Sequence, residues 1–175
     1  ADAMNKYGSD KPDTRFDMLI EDISDWADKT DFVVFKSAIS DGGAVKAIVA
    51  KNAASTYTRK KIDKLTDFAK GIGAKGLAYV RWADETPNCS FAKFLKDGEL
   101  EELLSTLGAE QGDVVLIVSD KTRKALTIMG ALRLAVAKEL DLIPQGKWNF
   151  LWITEMPFFE MDEETGEWVA AHHPF

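Results

Sequence analysis

Cysteine and histidine are scarce in this chain of 175 residues, which contains one Cys and two His. The single Cys89 excludes an internal disulfide, and it lies far along the sequence from His172 and His173. We therefore expect neither a thiol catalyst nor a zinc site. No apolar run approaches the roughly 20 residues of a membrane helix, and the first residues lack a signal-peptide pattern. These absences indicate a cytoplasmic protein that does not enter a membrane.

Basic residues are missing from one end of the chain. Residues 148–175 contain six acidic side chains and no Lys or Arg, whereas residues 1–147 are nearly neutral. The same segment contains three of the five tryptophans and both histidines. This shift in composition predicts a separate structural unit. Because the chain also starts without Met and stops just after a His-His-Pro sequence, we expect an internal fragment of a longer protein.

Short segments of strand and helix character alternate through the middle of the chain. Strands are predicted at 32–36, 44–50, 77–82, 90–94 and 114–118, and helices at 59–70, 99–107 and 121–141. The first two strands flank an Asp-Gly-Gly turn and predict a hairpin. The expected order β-β-α-β-β-α-β-α indicates an α+β fold, with helices packed on one face of a mainly antiparallel sheet.

The end of the chain predicts a further strand at 148–155 and then a hairpin with its turn at 162–166. The strand carries apolar side chains on both of its faces, including Trp148, Phe150 and Trp152 on one of them. Such a strand is typical of a sheet that is covered on both sides. A tail of this length cannot supply that cover, so we expect the partner sheet to lie outside this chain.

The glycine motif at 71–76, Gly-Ile-Gly-Ala-Lys-Gly, matches the G-x-G-x-x-G pattern of dinucleotide-binding proteins. That pattern binds phosphate only where it follows a strand and opens a helix. Here it follows the predicted helix 59–70 and precedes a strand. We interpret the motif as a helix end and a turn.

The predicted helix 59–70 has a basic face formed by Arg59, Lys60, Lys61 and Lys64. Side chains of this kind contact nucleic-acid phosphates or form a solvated helix surface. The solvated surface is the preferred interpretation, because the set lacks the interleaved aromatic residues of single-strand binders. A second basic group stands at 121–124.

Both ends of the chain resemble one family. The sequence Tyr-Gly-Ser-Asp-Lys-Pro-Asp-Thr-Arg-Phe at 7–16, the sequence Phe-Leu-Trp-Ile-Thr-Glu at 150–155 and His-His-Pro-Phe at 172–175 are similar to the stretches that flank a large insertion in bacterial-type aspartyl-tRNA synthetases. The middle resembles that insertion, the GAD domain, which tRNA-dependent amidotransferases share. Its matching segments are 35–36, 43–47, 76–78 and 131–134.

The resemblance implies three parts: a catalytic-core flank at 1–26, a GAD-like insertion domain at 27–142 and a second flank at 143–175. The flanks would be short strands of an incomplete class II catalytic sheet. The parent enzyme, expected to be a homodimer, would use ATP and Mg to activate aspartate and then aminoacylate tRNA. His172 would contact the bound aspartate, with His173 as a weaker candidate beside it.

The resemblance implies no catalytic residue and no metal ligand within the fragment, so we expect the isolated fragment to be inactive, monomeric and free of bound cofactor. The insertion domain would then be structural or would contact tRNA. A stand-alone RNA- or protein-binding α+β module without catalysis is the alternative.

Overall fold

A computed structural model describes residues 1–162 and 165–171. The predicted aspartate contacts His172 and His173 lie outside the described residues. The α-helices are α1 (Asp2–Tyr7), α2 (Ser24–Lys29), α3 (Val33–Ser40), α4 (Arg59–Gly71), α5 (Glu99–Thr106) and α6 (Thr122–Glu139). The strands are β1 (Glu21–Asp22), β2 (Ala44–Ala50), β3 (Ala78–Arg81), β4 (Asn88–Cys89), β5 (Val114–Asp120), β6 (Phe159–Met161) and β7 (Trp168–Ala170). A short 3₁₀ helix covers Ala92–Phe94.

Five strands form the central sheet in the order β1-β2-β5-β3-β4, and each neighbouring pair is antiparallel. Strand β5 is interior, since β2 pairs with it from Ala44 opposite Asp120 to Ala50 opposite Val114 and β3 pairs with its other edge. Its nearly continuous burial agrees with the apolar run that predicted it. The α+β class and the mainly antiparallel sheet are confirmed.

Helices cover both faces of this sheet rather than the one face predicted. Side chains such as Ile48 and Leu116 point into a core shared with α4 and α6. Alternate side chains such as Val115 and Ile117 point into a second core. That core also contains buried residues of α2, α3 and α5, namely Trp26, Ala27, Phe35, Leu103 and Leu104.

The second core explains why the strand predicted at 32–36 is wrong. These residues contribute to α3, whose Phe35 is buried and meets the rings of Trp26 and Phe91 at centroid separations of 6.4 and 5.3 Å. A helix places Phe35 inward and leaves Val33 and Val34 exposed. Aromatic packing from distant segments therefore outweighs the β-propensity of this run.

The flanks of the sheet differ in part from the prediction. Helix α1 and strand β1 form within residues 1–26, where the resemblance implied short strands. The hairpin predicted with its turn at 162–166 is confirmed, because β6 and β7 pair from Phe159 opposite Ala170 to Met161 opposite Trp168. The hairpin predicted from 32–36 and 44–50 is wrong, because the first of these segments belongs to α3. Residues 148–155 form no strand, since no described strand lies beside them to pair with. Trp152, in that segment, is 94% exposed.

The glycines at 71–76 join the end of α4 to β3, as predicted. The N–H of Ala74 donates to the carbonyl of Ala69 at 2.9 Å, and Gly73 takes a φ of 101°, so this segment ends a helix instead of opening one. The helices predicted at 59–70, 99–107 and 121–141 are confirmed as α4, α5 and α6. Within the described residues, no helix combines the length and the apolar character needed to cross a membrane.

Candidate functional site

Arg133 of α6 holds the segment that follows α1. Its side chain is 1% exposed and donates from Nε to the carbonyl of Met18 at 2.8 Å. Its two terminal nitrogens donate to the carbonyls of Asp13 and Phe16 at 3.0 and 2.9 Å, with a longer contact of 3.3 Å to Asp17. Bonds from a charged donor are stronger than neutral ones, so one side chain fixes the course of this turn.

Aromatic rings complete the surroundings of Arg133. The guanidinium carbon lies 3.9 Å from the ring centroid of Phe16 and 4.9 Å from that of Tyr7. Burial lowers the pKa of Arg133 from its usual high value, and the nearby acidic groups act against this effect. Met18, whose carbonyl accepts from Arg133, has a φ of 80°, a strained value for a residue with a side chain. The arginine therefore stabilises an otherwise unfavourable backbone.

Two glycines allow α1 to approach α6 closely. A Cβ on Gly130 would lie 2.7 Å from the carbonyl oxygens of Tyr7 and Gly8, and one on Gly8 would lie 2.2 Å from that of Leu126. Backbone atoms cannot move aside cheaply at such distances. The first flank is therefore packed directly on the long helix of the sheet domain.

The two ends of the chain meet beside this contact. Asn149 donates from Nδ2 to the carbonyl of Thr14 at 3.0 Å, and an Nη of Arg15 approaches the carbonyl of Lys147 at 3.4 Å. Arg15 also forms a bidentate pair with Asp13, and the hydrogen bond from its side chain holds the pKa of Asp13 below the usual range. Both flanks thus adjoin the same side of the domain.

A cleft of about 780 Å³ opens between these parts. Its walls come from the first flank at Gly8 and Ser9, from the start of α6 at Leu126, and from the tail at 153–157 and Ala171. Arg123 of α6 forms an ion pair with Glu160 of the tail across this region. Ala171, which lines this cleft, immediately precedes the predicted aspartate contact His172 in the sequence.

The four basic residues that were predicted to form one face of α4 have different surroundings in the structure. Lys61 forms an ion pair of 2.8 Å with Glu139 at the end of α6, and the charge of Lys64 adds to the effect of Lys61 in lowering the pKa of Glu139. Arg59 instead lines a small cavity on the other side of the helix. The structure therefore brings them together less than the prediction implied.

Acidic side chains interrupt what remains of that face. Asp63 and Asp67 are exposed on α4 together with Lys60 and Lys64. A surface of mixed sign attracts a polyanion weakly. Among the residues of the described ranges, no three His, Cys, Asp or Glu side chains gather as a metal site would require.

Arg133 was missed as a site residue, although the sequence offered a signal. It is one of few charged residues in an otherwise apolar helix and is spaced by three or four positions from buried Met129, Gly130 and Ala137. A charge on the buried stripe of a helix requires partners, because an unpaired buried charge is costly. The identity of those partners, the carbonyls of a segment 115 residues or more away, carried no signal in the sequence.

The sheet with helices on both faces and the two converging flanks define a domain that matches one known family. The family model described as the GAD domain matches residues 35–129, which is more than half of the chain. The chain belongs to this family. The matched region covers the sheet from β2 to β5 and lies within the predicted insertion domain 27–142.

Similarity to individual proteins extends beyond that region to both ends. The chain is 51% identical over 175 residues to the aspartate–tRNA(Asp/Asn) ligase of Bacillus mycoides (strain KBAB4), and 51% identical over 174 residues to the aspartate–tRNA ligase of Staphylococcus saprophyticus. A third relative, from Bacillus cytotoxicus, is 50% identical over 175 residues. The chain spans 30% of the length of each of these relatives.

Proposed function

We propose that this chain is the part of an aspartate–tRNA ligase that carries the GAD domain and the adjoining pieces of the catalytic core. The observation that carries the proposal is the extent of the similarity. Identity of 51% continues over all 175 residues, including the flanks on either side of the GAD match at 35–129. A GAD domain taken from another kind of protein would share the middle alone.

The whole enzyme activates aspartate with ATP, forming aspartyl-adenylate and releasing pyrophosphate, and then transfers the aspartyl group to the 3′ end of a tRNA. We assign Mg²⁺ binding to parts outside this chain, because the family resemblance implies no metal ligand within it. Aspartate, ATP and tRNA are thus the proposed substrates, and a cytoplasmic homodimer is the proposed state of the enzyme.

The tail supports a role as one edge of a larger catalytic core. Trp148, Phe150 and Trp152 are 79, 93 and 94% exposed. Large aromatic side chains in one contiguous exposed segment mark a surface that another element covers. Since the relatives are more than three times as long as this chain, we propose that the remainder of the same polypeptide covers it. Residues 148–155 would then gain the strand partners that they lack here.

His172 and His173 follow the cleft-lining residue Ala171 and are the proposed contacts to aspartate, with His172 as the principal one. The GAD domain contributes by holding the first flank in place through Arg133, on the side of the cleft opposite the tail. In this proposal the insertion is a brace for two core segments that are far apart in sequence. Arg59, Lys60 and Lys64, which form no ion pair with the described residues, are proposed tRNA contacts.

A segment exchange tests the proposal. The 175 residues would replace the matching segment of the Staphylococcus saprophyticus ligase, and aspartate-dependent ATP–pyrophosphate exchange and charging of tRNA would be measured. Because the relatives include both aspartate–tRNA and aspartate–tRNA(Asp/Asn) ligases, charging is assayed with both tRNAs. We expect an active hybrid. A well-folded hybrid without exchange activity would overturn the proposal, provided that a control exchanging 35–129 alone stays active.

The same hybrid tests the histidines. His172→Ala should lower kcat/KM for aspartate in the exchange reaction, because a lost substrate contact weakens transition-state binding, while the unfolding midpoint stays unchanged. His173→Ala serves as the matched control and should act less strongly, since His172 is the principal proposed contact. An unchanged kcat/KM in the His172 variant would remove this residue from the site.

A further inference from the structure

We propose that a cavity beside the start of α4 binds one unpaired nucleotide of an RNA. The cavity has a volume of about 380 Å³ and is lined by α4, β3, β4 and the loop between the two strands. Its lining residues include Arg59, Tyr79, Arg81, Thr86 and Asn88. That the RNA is a tRNA rests on the proposed function.

The two arginines provide a site for phosphate. Arg81 donates from Nε to the carbonyl of Ala54 at 3.0 Å, which fixes its guanidinium group, while its terminal nitrogens have no partner among the described residues. Arg59 is exposed and forms no hydrogen bond or ion pair with the described residues. A guanidinium that is held in place with free donors suits bidentate binding of a phosphate group.

An aromatic ring stands between these charges and the core. Tyr79 of β3 is partly buried, packs against the core on the α4 side and lines the cavity together with Ile62. Its hydroxyl has no partner among the described residues. Proteins bind unpaired bases by stacking them on such rings, and this contact accepts every base. Tyr79 supplies the aromatic residue whose absence argued against single-strand binding when the basic face was considered alone.

Short polar side chains complete the cavity. Thr86, Asn88 and Asp84 are exposed there and form no hydrogen bonds with the described residues through their side chains. Hydroxyl, amide and carboxylate groups offer both donors and acceptors for the edge of a base. Two arginines, one aromatic ring and polar edge groups therefore fit a nucleotide better than a free phosphate.

Short RNA is the direct probe. A fluorescein-labelled single-stranded hexanucleotide of each of the four bases would be titrated with the 175-residue chain, and binding followed by fluorescence anisotropy. We expect saturable binding. No saturable binding by any hexamer would overturn the proposal.

Variants of the cavity separate stacking from charge. Tyr79→Leu keeps apolar packing and should raise the Kd about tenfold, whereas Tyr79→Phe should bind as the unmodified chain does. Arg59→Ala should reduce the slope of log K against log salt by about 0.7, the value for one phosphate of a single strand. Lys70→Ala is the matched control, since Lys70 is exposed at the far end of α4.

Folding is checked for each variant by its urea midpoint. Tyr79→Leu and Arg81→Ala binding as tightly as the Lys70→Ala control would overturn the proposal. If Tyr79→Leu shifts the midpoint, Thr86→Ala and Asn88→Ala provide the comparison, because both residues are exposed and their truncation leaves the core intact. At least one of these two variants should then weaken binding several-fold, and two unaffected Kd values would count against the cavity.

The hybrid ligase connects the cavity to tRNA. Cavity variants should raise the KM for tRNA about tenfold and leave aspartate-dependent pyrophosphate exchange unchanged, since adenylate formation needs no tRNA contact. If the unmodified hybrid lacks aspartate-dependent pyrophosphate exchange activity, the proposed function is wrong. Intact exchange with an unchanged KM for tRNA in every cavity variant would be a failure of this inference alone.

Discussion

Replacing Arg133 should release the first flank of the chain from the GAD domain. The side chain donates three hydrogen bonds of 2.8 to 3.0 Å to the carbonyls of Asp13, Phe16 and Met18. In Arg133→Met the apolar volume is largely kept, but these carbonyls lose their donor. Met also cannot compensate the strained φ of Met18.

The size of the effect follows from those bonds. A hydrogen bond to a charged group contributes about 1.5 to 3 kcal/mol net, so three would contribute at least about 4 kcal/mol. The flank can instead detach and expose its carbonyls to water, which limits the loss of global stability to its docking free energy. We therefore expect a loss of about 4 kcal/mol at most. With a typical urea m-value of about 2 kcal/mol/M, the midpoint would fall by up to about 2 M.

Two measurements on the 175-residue chain decide the outcome. Urea unfolding followed by circular dichroism gives the midpoint, and hydrogen exchange with mass spectrometry reports protection at 13–20. Arg133→Lys is the matched control; it keeps the charge but has no planar fork, so we expect an intermediate effect. A shift of Arg133→Met below about 0.5 M together with unchanged exchange at 13–20 would refute the reasoning.

Three further perturbations test other contacts of the fold. Gly130→Ala should destabilise the chain by about 1 to 3 kcal/mol in thermal unfolding, because its Cβ would lie 2.7 Å from backbone oxygens of the α1 turn, whereas Gly71→Ala, with no atom within 4 Å, should not. Burial raises the pKa of Cys89 to about 11, so we expect slow alkylation by iodoacetamide at pH 8; a rate equal to that of free cysteine would contradict this burial. Burial of Asp120 acts to raise its pKa, but the hydrogen bond from the next backbone N–H and the ion pair with Lys124 outweigh it, so the pKa is lowered. The folded chain thus keeps this carboxylate ionised to lower pH than the unfolded chain, and its contribution is lost as pH falls below about 4. Asp120→Asn should have a lower urea midpoint than the unmodified chain near pH 7, and its midpoint should change less as pH falls below about 4. If the variant and the unmodified chain have equal midpoints at both pH values, this role of Asp120 is contradicted.

Local patterns in the sequence determined the elements whose burial follows one period. Helix α4 has Ile62, Leu65 and Ala69 on its buried side, and β5 is apolar from Val114 to Val118 because both of its faces meet a core. Such elements can be predicted without knowing their packing partners, since the period of the apolar residues alone indicates which side is buried. The terminal motifs at 7–16 and 172–175 likewise indicated the family before any contact was known.

Only the tertiary structure decided what depends on distant partners. Residues 32–36 have β-propensity, yet Phe35 belongs to a cluster with Trp26 and Phe91, and a helix serves that cluster. Arg59 and Tyr79 are 20 positions apart, and the packing of α4 beside β3 places them in one cavity. The physical reason is the same in both cases. Local propensities differ by about 1 kcal/mol or less per residue, whereas burying one aromatic side chain in a core contributes about 1.5 to 3 kcal/mol, and that burial depends on segments the local sequence does not contain.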